Sequence, residues 1–103
     1  MQVSVIVKKP NEVQTEQIIE SGLKSLQGLV GGMIEMPSMC DGVDMVCNEE
    51  GKLIGLVPNL IMPYDILVGT VVFIGVNYET GESRSLTGAE KIKVNAFIKK
   101  TVL

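Results

Sequence analysis

Polar and apolar residues alternate from the start of the chain: Val3, Val5 and Val7 fall on one face, Gln2, Ser4, Ile6 and Lys8 on the other. Period two predicts a strand with one buried side. Pro10-Asn11 follows as a turn, and Glu12 to Ile18 alternates again, with Val13 and Thr15 opposite Glu12, Gln14 and Glu16. A hairpin is expected. The period then changes: Leu23, Leu26 and Val30 lie at i, i+3 and i+7 behind Ser21. That spacing predicts a short helix within 21–30, capped by Ser21 and stopped by Gly31-Gly32.

Met33 to Met36 reads as a strand ending at Pro37. Asp44 to Asn48 and Leu53 to Val57 flank Glu49-Glu50-Gly51-Lys52, which predicts a hairpin with Gly51 at a positive-φ position. Two prolines make Pro58 to Asp65 an ordered loop or a broken edge segment. Thr70 to Asn77 is almost entirely apolar, the pattern of a central strand covered on both faces. After a loop at Tyr78 to Glu82, Thr87 and Glu90 form a capping box for a helix running to Thr101. Its inward residues are read as Ile92, Ala96, Phe97 and Ile98, and its outward ones as Lys91, Lys93, Lys99 and Lys100. The order predicts one α+β domain over residues 1–103: a mostly antiparallel sheet of five to seven strands with two helices, near 21–30 and 87–101. Rossmann and P-loop folds are excluded, since neither G-x-G-x-x-G nor a regular βαβ alternation occurs.

Composition supports the sheet, with 14 Val and 10 Ile against two Ala. With glycine counted, 56 of 103 residues are apolar, above the roughly 45–50% of ordinary domains. Such an excess favours a homo-oligomer. Nine basic and twelve acidic residues, with Arg84 the sole arginine, argue against nucleic acid as a partner. The absence of histidine removes the commonest general base and metal ligand. Cys40 and Cys47, with six residues between them, match neither a redox pair nor a zinc site, so reduced thiols, no metal and no cofactor are expected. The longest apolar run, Ile66 to Val76 with its glycines and Thr70 counted as neutral, has eleven residues, short of the ~20 needed to cross a bilayer as a helix. No signal-peptide pattern precedes it, and a cytoplasmic protein off the membrane is expected.

Candidate chemistry is sparse. Ser, Thr and Cys nucleophiles have no histidine to activate them, and Glu35, Asp41 and Asp44 lie near turns that explain them by solvation. No catalytic residue is assigned, and the chain is read as not an enzyme. Binding has better candidates. Asn59 and Tyr64 lie on the proline-stiffened segment, Asn48 is expected near it, and Arg84 offers a fork for an anion. These four are the candidate ligand-binding residues. The competing reading gives Asn59 to local backbone, Tyr64 to the core and Arg84 to a surface ion pair. Four methionines between Met33 and Met45 serve either the core or self-association.

Several runs carry a resemblance: Gly31-Gly32-Met33-Ile34-Glu35, Val46-Cys47-Asn48-Glu49-Glu50-Gly51-Lys52-Leu53, Gly55-Leu56, Pro58-Asn59, Val68-Gly69-Thr70 and Ser85-Leu86-Thr87. Together they resemble the domain of unknown function 3846, small proteins carried by bacteria, phages, plasmids and conjugative elements, over nearly the whole chain. Met33 departs from that family, where a tyrosine is common, which weakens any ligand contact an aromatic would make there. The resemblance implies an accessory-gene setting and assigns no reaction. Joined to the missing base, it leads to a non-enzymatic accessory protein of a phage or mobile element. Its expected role is an oligomeric binder that sequesters a small anionic, nucleotide-type ligand to counter host defence. The alternative is a protein-interaction module that inhibits a host protein by direct binding. A hydrolase using acid residues ranks third.

Overall fold

The computed structural model describes residues 1–103. Its elements in chain order are β1 (Gln2–Lys8), β2 (Thr15–Glu20), α1 (Leu23–Val30), β3 (Ile34–Glu35), β4 (Ser38–Cys40), β5 (Val43–Asn48), β6 (Pro58–Ile61), β7 (Ile66–Val68), β8 (Val71–Asn77), β9 (Glu82–Arg84) and α2 (Gly88–Thr101). Seven strands form one sheet in the order β2-β1-β8-β5-β3, with β4 also on β5 and β9 also on β8. Strands β6 and β7 form a separate pair, and every pairing is antiparallel. The molecule is an α+β fold, a mostly antiparallel sheet with one short helix and one C-terminal helix.

Alternation distributes the core over both faces of this sheet. Val3, Val5 and Val7 of β1, Val46 of β5, and Val72, Ile74 and Val76 of β8 pack under Leu26 and Val30 of α1. The opposite parity, Ile6, Val43, Met45, Cys47, Val71 and Phe73, packs with Val94 and Ile98 of α2 and with Leu60 and Leu67 of the β6–β7 pair. Phe73 meets Phe97 edge to face, with ring centroids 6.1 Å apart. Strand β8 is thus central and buried from Val71 to Val76, as its unbroken apolar run requires.

Several expectations are corrected. Strand β1 is not one-sided: Ile6 and Lys8 are buried as well, because α2 and the β6–β7 pair cover the face that alternation leaves half polar. Leu53 to Val57 forms no strand. One edge of β5 is taken by β8 and the other by β3 and β4, so no edge remains for it. The chain winds through turns instead, with Ile54 N–H donating to the Glu50 carbonyl and Leu56 N–H to that of Gly51. Gly51 does not have a positive φ. Its role is spatial, since a Cβ there would stand 2.7 Å from Val68 Cγ2. Ser21 does not cap α1; Gly22 occupies the N-cap without a side-chain bond. At the other end Gly31 takes the left-handed conformation (φ 80°) and bonds back to Gln27, as expected. In α2 the capping box forms with both bonds, but the buried stripe is Val94, Ile98 and Thr101, whereas Ile92 is 73% exposed and Ala96 is exposed. The methionines divide: Met45 is core, Met39 packs against it, and Met33 and Met36 are exposed.

Candidate functional site

The largest concavity, about 550 Å³, lies between the β1–β2 turn and the C-terminal half of α2. Local chemistry builds its first wall. Pro10 and Asn11 occupy the central positions of a tight turn, Asn11 with φ 61°, closed by Glu12 N–H donating to the Lys9 carbonyl at 3.3 Å. The chain therefore reverses immediately after Lys8. Two bonds then tie the returning segment to α2: Gln14 Nε2 donates to Asn95 Oδ1 at 2.9 Å, and Lys91 Nζ pairs with Glu16 at 3.0 Å. Ile98, Lys99 and Val102 supply the facing wall.

Lys8 forms part of this groove and is 2% exposed. Its ammonium donates to the Lys9 carbonyl at 2.7 Å and to Asn59 Oδ1 at 3.1 Å. Asn59 returns the contact, since its Nδ2 donates to the carbonyls of Lys8 and Gly69, both at 2.8 Å. A buried lysine ordinarily faces a carboxylate. This one takes part in none of the four ion pairs of the chain. Both of its acceptors are neutral, and an ammonium carries a third N–H. Burial pushes its pKa below the usual lysine value, and the charge of Glu12 opposes that shift.

A second cleft, about 300 Å³, is lined by Glu35, Cys47, Asn48, Lys52 and Asp65 among others. The Cys47 thiol donates towards Glu35 Oε1 at 3.6 Å. Burial above all, then the charge and hydrogen bond of Glu35, push its pKa up to about 12. It is held as a neutral thiol, the unreactive form. Lys52 and Asp65 form an ion pair at this cleft, which raises the lysine pKa and lowers the aspartate's. No group of three or more Cys, Asp or Glu side chains is placed to hold a metal ion. Glu35 is engaged with Cys47, Asp44 accepts from the Tyr78 hydroxyl at 3.1 Å, and Asp41 stands exposed in the β4–β5 turn.

The four residues expected to bind a ligand are not brought together, and only Asn48 lines a concavity. Its amide is engaged, with Nδ2 donating to the Val30 carbonyl at 3.2 Å and Oδ1 accepting from Glu50 N–H at 2.8 Å. Asn59 is buried beneath the first groove and supports Lys8. Tyr64 is 99% exposed on the β6–β7 turn. Arg84 lies beyond the opposite end of β5 from Asn48, where it grips Glu90 and the Gly42 carbonyl. Lys8 itself is the residue that the sequence reading passes over, as a polar position on the second face of the first strand. Its signal is Ile6 on the same face, which marks that face as covered too.

No curated protein and no solved structure matches the chain. No helix is long and apolar enough to cross a membrane. Residues 1–99 match the family model described as Domain of unknown function (DUF3846), and the chain belongs to that family.

Proposed function

We propose that the protein is a non-enzymatic binder that holds a small anionic ligand in the groove beside Lys8 and sequesters it stoichiometrically. The observation that carries this reading is the buried Lys8 ammonium, whose hydrogen-bond partners are neutral and which forms no ion pair. An anion seated there supplies a countercharge in direct contact, where Glu12 acts only from a distance, and accepts the remaining N–H in a setting where charge-assisted bonds are strong. The groove volume falls within the roughly 300–1,000 Å³ of small-ligand sites. Sequestration asks only for affinity, so it suits a chain without histidine. The family resemblance adds the setting: a phage or mobile element countering host defence by removing a small anionic signal. Self-association is proposed alongside, supported by exposed apolar side chains on the 53–57 turn and the β6–β7 loop.

Isothermal titration of the wild-type chain and of Lys8→Gln against mononucleotides, cyclic dinucleotides and small carboxylates tests the reading. Heat is expected with at least one anion, and the variant should bind it about tenfold more weakly. Silence with every anion overturns the proposal.

One observation favours the second reading, a protein-interaction module. Strand β2 is a sheet edge with Ile18 exposed, a template for an added strand. Glu16 and Glu20 on that strand oppose such pairing, so this reading ranks second. Capture of one stoichiometric host partner by the wild-type chain, lost on Ile18→Lys, would favour it.

A further inference from the structure

The composition of the Lys8 groove narrows what fits it. Lys8 and Lys99 are its cations, of which only Lys8 is buried, and Glu12 is its only acidic side chain. A phosphate monoester carries between about −1.5 and −2 at neutral pH and a carboxylate carries one negative charge, so the carboxylate matches the single buried ammonium and the monoester exceeds it. The planar fork that best grips phosphate is absent too, since the only arginine, Arg84, is committed to Glu90 and two backbone carbonyls elsewhere.

A nucleobase finds equally little. None of the four aromatic residues lines the groove: Phe73 and Phe97 pack together at the core, Tyr78 bonds Asp44, and Tyr64 stands in solvent. No stacking platform is therefore present. Gln14 and Asn95 bond each other, which leaves fewer amide atoms to read a base edge. The groove offers aliphatic surface instead. Val13 is 83% exposed, Val102 and Leu103 are exposed as well, and all three gather round the buried Ile98. Apolar surface held open beside one buried cation suits a molecule with a single anionic head and an aliphatic body.

From this arrangement we infer that the groove takes an aliphatic monocarboxylate, its head on the Lys8 ammonium and its chain against Ile98, Val102 and Val13. The inference rests on the anion-binding reading above and narrows its ligand class. Lys8 is the anchoring residue and Asn59 the positioning residue that fixes it.

NMR titration of the full chain, followed at Ile98, Val102 and the Lys8 side chain, provides the test, with octanoate, octanol, AMP and a cyclic dinucleotide as probes. Octanoate is expected to shift these signals saturably, octanol to bind about tenfold more weakly for want of the charged head, and the two nucleotides to leave them in place. Lys8→Gln should reduce octanoate to the octanol level. Should that variant fail to fold, the exposed Val13→Gln should weaken octanoate and octanol alike and leave the fold intact. A nucleotide that saturates the groove more tightly than octanoate overturns this inference and leaves the anion-binding reading standing. Octanol binding as tightly as octanoate removes the role of Lys8 and overturns both, as does the absence of saturable binding by any anion.

Discussion

The only guanidinium of the chain joins three elements. Arg84 Nη1 donates to Glu90 Oε1 at 2.7 Å and to the Ser85 carbonyl at 3.1 Å, and Nη2 donates to Glu90 Oε2 at 2.9 Å and to the Gly42 carbonyl at 3.1 Å. Glu90 is also the capping-box acid of α2, so the same carboxylate starts the helix and ties it to β9 and the β4–β5 turn. The Arg84 bond, ahead of the backbone bond at Thr87, holds its pKa at about 2, well below the ordinary 4.5. A carboxylate with a depressed folded-state pKa stabilises the fold above its ordinary value, and that contribution is lost as pH falls from 4.5 through about 2. Glu90→Gln can keep the cap acceptor and removes the charge. It is expected to cost about 2 kcal/mol at neutral pH, a figure discounted because Arg84 is partly open to water. Urea unfolding as a function of pH checks this: the gap between wild type and variant should close on acidification, and a pH-independent gap would refute it.

At the scale of elements, Gly51 decides how β5 is followed. Its neighbours are Val68 Cγ2, the Asn48 carbonyl and Leu56 Cδ1, so a methyl group there presses on β7. Gly51→Ala is expected to cost about 1–2 kcal/mol by overpacking, with an unchanged denaturant slope. Adding Val68→Ala should recover part of the loss, and an unaltered unfolding midpoint in the single variant would show that the turn yields freely. The same segment marks where the sequence stops being readable. Strands β1 and β8, the Gly31 stop and the Thr87–Glu90 box are legible because period and capping are local properties. The fate of Leu53 to Val57 is not local, for it depends on β3, β4 and β8 having occupied both edges of β5. The Lys8 groove is illegible for the same reason, since Gln14 and Asn95 meet across 81 residues and Lys8 and Asn59 across 51. Binding residues chosen by type alone, such as Arg84, prove to be committed to structural partners.

The whole molecule is a sheet between α1 on one face and α2 with the β6–β7 pair on the other, and its apolar excess does not all fit inside. Leu53 is 85% exposed, and Ile54, Val57 and Tyr64 are exposed near it, on two segments that the Lys52–Asp65 ion pair joins. The proposed self-association predicts a dimer or larger species by light scattering, and Leu53→Ser with Tyr64→Ser should shift it towards monomer without lowering thermal stability. A monomer at every concentration removes that proposal. The strand order also bears on how the chain comes off the ribosome. Strand β1 pairs with β2 on one side within the first 20 residues, but its other side waits for Val71 to Phe73. During synthesis the nascent chain therefore carries an unpaired valine-rich strand edge until β8 has emerged, a delay typical of long-range sheet pairing. The groove forms later still, when α2 closes over the β1–β2 turn. The proposed ligand capture is thus a property of the folded domain, and a stalled or truncated product would display a sticky edge without the site.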